Sequence, residues 1–490
     1  MTMLALVGKQ KKRPIAAAIL AIAAVVAICY GVITDSLVLS AIITFVPVIG
    51  VILVISFEER KYALMVLIFL SFFISVASHY IYNAPLGVVL DAMVVFNLFV
   101  ILSNMLTKKI NLNNVSYDVL FMISLWFIYC FLQLLNPKML TTEAWMSSIR
   151  SMAIYFFLIF LITQLAINSF QDLKHIMVLV SVLVIISALK AMYQMYVGFT
   201  PGDRYFLNVL DGRRTHIIFY GTRYFSIFSD AANFGGCMGM TLAVYLILGF
   251  HTKKWGPKIY WWIVAGLSCY GMFVSGTRSA LVVPVASIML YLALIKDWKK
   301  MIPLSLLLGT VIFLLAFTTV GESYTSIRRA RTIFHKDEDQ SYLIRKQNQE
   351  TLKTYMKDLP FGNSLGMSAG RGKEYGDVSP IAGIPTDSWF VQLWVETGVV
   401  GISIYFLVLF YMFVKGGIIV FFRLKDPEVK GYAAALLSGI AGLFVMSSNN
   451  EVFSQLPNGV LVYVFFGMLF LCPHFDKETE AGKLDDGQKK

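Results

Sequence analysis

The chain has 490 residues, 58% of them hydrophobic and only 14% charged, with a mean hydropathy of +0.71. Soluble domains run at roughly 45–50% apolar and about 25% charged, so a soluble enzyme, a disordered chain, a coiled coil and a disulfide-stapled secreted domain are all excluded. The net charge of +12 then reads as a question of which side of a bilayer the basic residues occupy, and no nucleic-acid partner is expected.

The fold class expected is an all-α polytopic membrane protein, one transmembrane domain over residues 1–490. The basic patch Lys9, Lys11, Lys12 and Arg13 precedes a long apolar run without a small-x-small cleavage site, which reads as an uncleaved first span. A helix crosses the hydrocarbon in about 20 mostly apolar residues. In chain order the qualifying segments are 15–33, 37–56, 62–81, 86–106, 117–135, 149–167, 175–197, 231–250, 259–275, 279–295, 301–320, 399–421, 432–447 and 456–472, fourteen in all. The five cysteines, Cys29, Cys130, Cys237, Cys269 and Cys472, lie singly within or beside these runs and read as small core residues. The short connections that carry Arg60 with Lys61, Lys108 with Lys109, Lys253 with Lys254, and Lys299 with Lys300 all fall on one side. By the positive-inside rule that side is the cytoplasm, and both termini lie there.

Two connections are long, 198–230 and 321–390, and both fall on the outer side under this topology. The second, just before the twelfth span, reads as an ordered subdomain. Leu352, Tyr355, Met356 and Leu359 form a helical stripe within an expected helix over 340–359, stopped by Pro360-Phe361-Gly362. Such a helix is expected to lie on the membrane face as a roof over the bundle.

The residues with chemistry gather where these loops meet the membrane. Arg223 stands just before the eighth span, and Arg278 stands in the tight turn Ser275-Gly276-Thr277-Arg278-Ser279. Both belong to the same end of one antiparallel hairpin, and two forked guanidiniums suit a diphosphate. Arg150 and Lys190 lie at similar depth, and intramembrane ionisable residues are costly enough to suspect of function. Asp91 is a candidate partner for one of them. In Pro385-Thr386-Asp387-Ser388-Trp389, Thr386 or Asp387 is a credible N-cap for the following helix, and Asp387 is also a candidate general base. Trp389, Phe390, Tyr375 and Trp394 are candidates for stacking on sugar rings, and Glu396 for holding hydroxyls. A polar knot, Ser447-Ser448-Asn449-Asn450-Glu451, reads equally as cavity lining or as an ordinary loop.

From about Arg223 to Gly401 the chain resembles the O-antigen ligase and O-antigen polymerase superfamily. Arg223 with Phe228, Asn233 and Gly235 is similar to one family stretch, and Ser275–Ser279 to the family's Thr-Gly-Ser-Arg-Gly turn. Arg345, Pro360-Phe361-Gly362 and Gly366 resemble the loop pattern, and Gln392, Glu396, Gly398 and Gly401 the helix after it. The resemblance implies a metal-independent, inverting glycosyltransferase without a cofactor, working in the bacterial cytoplasmic membrane on its extracytoplasmic face. It implies an undecaprenyl-diphosphate-linked glycan as donor, held by Arg223 and Arg278, and a saccharide or lipid-core acceptor. Arg150, Lys190, Glu396 and Arg345 are further substrate-binding candidates. Family ligases carry His-Asn where this chain has Asp387-Ser388, which leans towards the polymerase side. It also leaves His216 and His335 as alternative bases. The rival readings are a flippase or other transporter of lipid-linked oligosaccharide, disfavoured by the lack of internal repeats, and a scaffold of a polysaccharide-assembly complex.

Overall fold

A computed structural model describes residues 50–488 apart from 53, 82–84, 108–109, 111, 211, 219–220, 296, 321–327, 329–330 and 332–339. In chain order the helices are α1 Lys61–Ser78, α2 Gly87–Thr107, α3 Tyr117–Leu132, α4 Thr142–Ile149, α5 Tyr155–Ala166 and α6 Phe170–Tyr196. Short helices α7 Pro201–Asn208 and α8 Arg213–His216 follow, then a small hairpin of β1 Ile217–Ile218 and β2 Gly221–Thr222. Next come α9 Ala231–His251, α10 Trp255–Val274, α11 Val282–Leu294 and α12 Trp298–Phe317. The chain closes with α13 Gln340–Met356, α14 Ala369–Glu374, α15 Trp389–Ile418, α16 Pro427–Met446 and α17 Asn458–Gln488.

Among the described residues, nine helical stretches are long and apolar enough to cross a membrane: Lys61–Ser78, Gly87–Thr107, Tyr117–Leu135, Thr142–Ala166, Phe170–Tyr196, Ala231–His251, Trp389–Arg423, Pro427–Met446 and Asn458–Glu480. Each coincides with an expected span. The expected spans over 259–275, 279–295 and 301–320 are helical too, as α10, the 17-residue stretch Arg278–Leu294, and α12. They fall outside the nine. The expected span 15–33 and most of 37–56 lie outside the described residues. The chain is thus a multi-pass membrane protein, and its peripheral helices turn large apolar side chains outward. Phe99, Phe121, Phe410 and Phe422 are all more than half exposed, as lipid-facing residues are.

Three helices form the middle. The apolar stretches of α9 and α17 are 89% buried and that of α16 78%, against 28% for Tyr117–Leu135. α9 packs against α10, α11 and α16, and α17 against α5 and α16. The sequence of α9 explains its place, because Gly235 and Gly239 remove side chains where neighbours come closest. A Cβ on Gly235 would stand 2.4 Å from Ser275 Oγ, and one on Gly239 2.9 Å from Val283 Cβ. Small residues allow this approach, and dispersion then holds helices that have no hydrophobic drive to associate within lipid.

The turn that follows α13 docks on α15 by its backbone. Gly398 interrupts α15 with φ +70°, ψ −175°, and a Cβ there would lie 2.0 Å from the carbonyl oxygen of Pro360. The turn Pro360-Phe361-Gly362 passes over that kink, with Val400 N–H donating to Pro360 O at 3.2 Å and Asn363 N–H to Val395 O at 2.8 Å. α13 lies along the start of α15: Leu352 and Met356 are buried with Ile381 and Val395 in a small separate core. Tyr355, an expected member of that stripe, is 41% exposed, so the buried face is narrower than its spacing implies.

Candidate active site

Arg223 is fixed by the hairpin before it. Its N–H donates to His216 O at 2.8 Å, and its guanidinium donates from Nη1 to Thr215 O at 3.1 Å. From Nη2 it donates at 2.9 Å to Thr277 Oγ1, and Thr277 in turn donates to Ala231 O at 3.0 Å. The two arginine motifs thus meet, because Thr277 immediately precedes Arg278. Gly276 makes the turn possible: it has φ +57°, and a Cβ on it would stand 3.3 Å from Arg223 Cγ.

Arg223 Nε is buried without a hydrogen-bond partner. Burial holds the pKa below the usual arginine value. Asp230 opposes that shift, whereas Arg345 and Arg278 reinforce it. Arginine stays charged through such a shift, so Arg223 bears the repulsion of Arg345 and Arg278 at this end of the bundle. Mutual repulsion of that kind is relieved by an anion with several acceptor oxygens.

The carboxylates stand opposite. Ser388, not Thr386 or Asp387, caps α15, accepting from Phe390 N–H at 3.2 Å. Asp387 is thereby released from the capping role open to it in the sequence. It has φ +53°, a left-handed conformation that non-glycine residues adopt at a cost of roughly 1–3 kcal/mol. It borders a cavity of about 390 Å³ that Arg345, Asp230, Thr215, Thr386 and Glu451 also line. A neighbouring hollow of about 240 Å³ is shared by Asp387, Arg345, Lys346 and Ser448. Arg345 of α13 lines both.

The knot at 447–451 is part of this wall. Trp389 N–H donates to Ser447 O at 3.1 Å, and Asn450 Nδ2 donates to Ser279 Oγ at 2.5 Å, next to Arg278. Thr386 Oγ1 donates to Glu451 Oε1. Burial raises the pKa of Glu451, with Thr386 and Arg371 opposing and the negative charges of Glu396 and Asp387 adding to it.

Other sequence candidates are placed elsewhere. Glu396 is fully buried, and its oxygens accept from Gly366 N–H at 2.8 Å, from Ser368 Oγ and from Gln392 Nε2 at 3.1 Å. Those donors fold the loop onto α15, so its carboxylate is already satisfied. Lys190 donates to Asp203 Oδ2 at 2.8 Å and anchors α7. Arg150 pairs with Asp91 at 2.9 Å, and Tyr155 OH donates to the same carboxylate at 2.6 Å. Arg150 also opens a π-helical turn, Arg150–Ile154, and lines a separate cavity of about 320 Å³ with Tyr155, Arg371, Tyr375 and Ser454.

His216 does not offer a free base. Nδ1 lies 2.8 Å from Gly212 O and Nε2 accepts from Ala231 N–H at 3.2 Å, so both nitrogens are engaged and the Nδ1–H tautomer is selected. His335 lies outside the described residues. Among the aromatic candidates, Trp389 is buried with Nε1 donating to Tyr405 OH at 3.3 Å. Phe390 packs on Phe406 and Phe444, and Trp394 packs beneath α13. Tyr375, by contrast, lines the cavity beside Arg150. The residues not singled out from sequence are Thr215, Thr277, Asp230 and Arg371. Thr277 and Asp230 sit inside the two arginine motifs, which is a usable cue, whereas Arg371 has none.

Residues 263–406 match the family model described as O-antigen ligase. That stretch is an O-antigen ligase-family domain. The domain runs from α10 through the Arg278 turn, α13 and the Asp387 loop to the first half of α15, and it leaves Arg223 and Glu451 outside its bounds on either side. The site is therefore assembled from the O-antigen ligase-family domain, the segment that leads into α9, and the α16–α17 connection. No curated protein matches the chain.

Proposed function

We propose that the protein is a membrane glycosyltransferase that moves a glycan from undecaprenyl diphosphate to a sugar hydroxyl of an acceptor, without a metal and with inversion. The observation that carries this reading is the Arg223–Thr277 hydrogen bond at 2.9 Å. It brings a half-buried guanidinium, its buried Nε without a partner, to the residue beside Arg278, with Arg345 near enough to act on the same charge. In the proposed reaction Arg223, Arg278 and Arg345 neutralise the diphosphate as it departs, and charge stabilisation of this kind often contributes most of the rate enhancement. Asp387 accepts the proton of the acceptor hydroxyl as that oxygen attacks the anomeric carbon.

The cavity beside Arg150 supports a place for the acceptor. The two cavities border the same segments, since Ala369 and Gln455 line the Asp387 cavity while Arg371 and Ser454 line this one. We place the active face outside the bacterial cytoplasmic membrane and both termini in the cytoplasm, with all fourteen spans crossing, as the basic short connections require. Asp387 in the base position favours polymerase over ligase.

The test uses purified protein and undecaprenyl-diphosphate-linked repeat units in chelator. A ladder of products with release of undecaprenyl diphosphate is expected for the polymerase, and a single transfer to a lipid core for the ligase. Full activity in both Arg278→Ala and Asp387→Ala would overturn the site.

A further inference from the structure

Glu451 is a cavity carboxylate without a part in the reaction above. The connection between α16 and α17 that carries it is held on two sides, to the start of α15 through Trp389 N–H and to the Arg278 turn through Asn450 and Ser279. Its Oε1 accepts from Thr386, the residue immediately before Asp387, and its Oε2 has no hydrogen bond among the described residues. Asp387, in its left-handed conformation, lines the same 390 Å³ cavity. The charged groups around Glu451 are Asp387 on the loop, Glu396 on α15, Arg371 on α14, Arg345 on α13 and Asp230 at the cap of α9.

We propose that Asp387 and Glu451 work as an ionised carboxylate pair that takes up a single proton between them, and that this proton is the one released by the acceptor hydroxyl. The inference rests on the glycosyltransferase reading. The acceptor oxygen forms its bond to the anomeric carbon, and the bond from that carbon to the phosphate oxygen breaks. Its electron pair leaves with the diphosphate, and the acceptor proton passes to the carboxylates, so no further reactant is needed. Two carboxylates in one confined cavity resist double ionisation, which keeps a proton-accepting site poised closer to neutrality than a lone surface carboxylate. The raised pKa of Glu451 agrees with that geometry. Thr386 and the knot hold Glu451 in place, and Asp387 lines the same cavity.

The experiment is the pH dependence of kcat/KM for reconstituted enzyme on undecaprenyl-diphosphate-linked repeat units, for the wild type, Glu451→Gln, Glu451→Asp and Arg278→Ala. Activity needs an ionised pair, so the wild-type rate falls as pH drops through an acidic limb lying above the ordinary carboxylate range. Glu451→Gln is expected to lower the rate at neutral pH roughly 10–100-fold and to move that limb down by about one pH unit, as loss of the second titrating group requires. Glu451→Asp should restore most of both, and donor KM should stay within about threefold across the two variants, which a collapsed site would not permit. A Glu451→Gln enzyme with the wild-type limb and rate overturns the pair while leaving the glycosyltransferase reading intact. Arg278→Ala at full activity overturns that reading instead.

Discussion

Lys190 and Arg223 show two ways in which a membrane protein keeps a cation near the end of its bundle. Lys190 reaches the fully buried carboxylate of Asp203 at 2.8 Å, and that carboxylate also closes the capping box of α7 with Thr200. Its charge is cancelled inside the fold. Arg223 is held instead by a carbonyl and a hydroxyl, and has no carboxylate within ion-pair distance among the described residues. Position and sequence make the two look alike, since both are basic residues near the same membrane face. The nature of the partner separates them, because a cation satisfied by neutral groups keeps its charge for a ligand. Arg150 falls between, paired with Asp91 yet still facing a cavity.

The largest expected effect comes from breaking the free member of this comparison. Arg223→Ala should lower transfer by roughly 10²–10³-fold, the range for deleting one charge-stabilising donor, with the purified protein still folded by thermal unfolding. Arg223→Lys should recover only a fraction, since an ammonium cannot span Thr215 and Thr277 and present a fork to the diphosphate. If Arg223→Ala transferred at the wild-type rate, an uncancelled charge would cease to be a guide to the site.

The kink at Gly398 is the next most sensitive point. Gly398→Ala sets a Cβ against the Pro360 carbonyl at 2.0 Å in a backbone conformation that L-residues avoid. The loop must lift off α15, so stability is expected to fall by about 3 kcal/mol or more. Proteolysis between 356 and 388 should accelerate at the same time. The cancelled cation gives a smaller, purely structural effect. Lys190→Met leaves Asp203 buried and unpaired, at a cost on the order of 3 kcal/mol, while Lys190→Met with Asp203→Leu should regain part of that loss. The specific activity of the folded fraction is expected to change little in either. A selective loss of turnover in Lys190→Met would move Lys190 back into the site.

Much of this was legible in the chain. Apolar runs of membrane length mark every one of the nine long helices, because the bilayer imposes a length and a composition that need no tertiary context. The meeting of the Arg223 and Arg278 motifs also followed, since an antiparallel hairpin returns its ends to one face. Partner identity was the part sequence did not carry. Arg150 and Asp91, Lys190 and Asp203, or Glu396 and the amides of its loop are pairs between distant segments, and no local pattern announces them. Capping failed for a related reason: Thr386, Asp387 and Ser388 are all good N-caps, and the one chosen depends on where Trp389 meets Ser447 and Asn450. Glu451 shows the same limit, as a glutamate in a polar loop acquires significance only when the loop folds back on Asp387.

The smallest expected effect concerns the support behind Arg223, where pH sets His216 against Glu451. Burial lowers the pKa of His216 from the ordinary 6.5, with Arg223 pushing the same way and the Gly212 carbonyl and Asp230 opposing. The folded protein therefore binds that proton less readily than the unfolded chain does, so the stabilisation from His216 is present above about 6.5 and lost as pH falls below it. Glu451 has the opposite sign. Its pKa is raised in the fold, so the folded state keeps the proton longer and its contribution declines as pH rises through the folded value. Thermal unfolding of the wild type should consequently show a fall in midpoint below about pH 6.5 that is shallower in His216→Gln, whose uncharged side chain has no proton to take up. Glu451→Gln should leave that fall unchanged and remove a separate gain seen on the acidic side of neutrality. If His216→Gln kept the full slope below 6.5, the neutral, doubly engaged imidazole behind Arg223 would have to be reassigned as a protonated one, and the cation cluster at the site would number four.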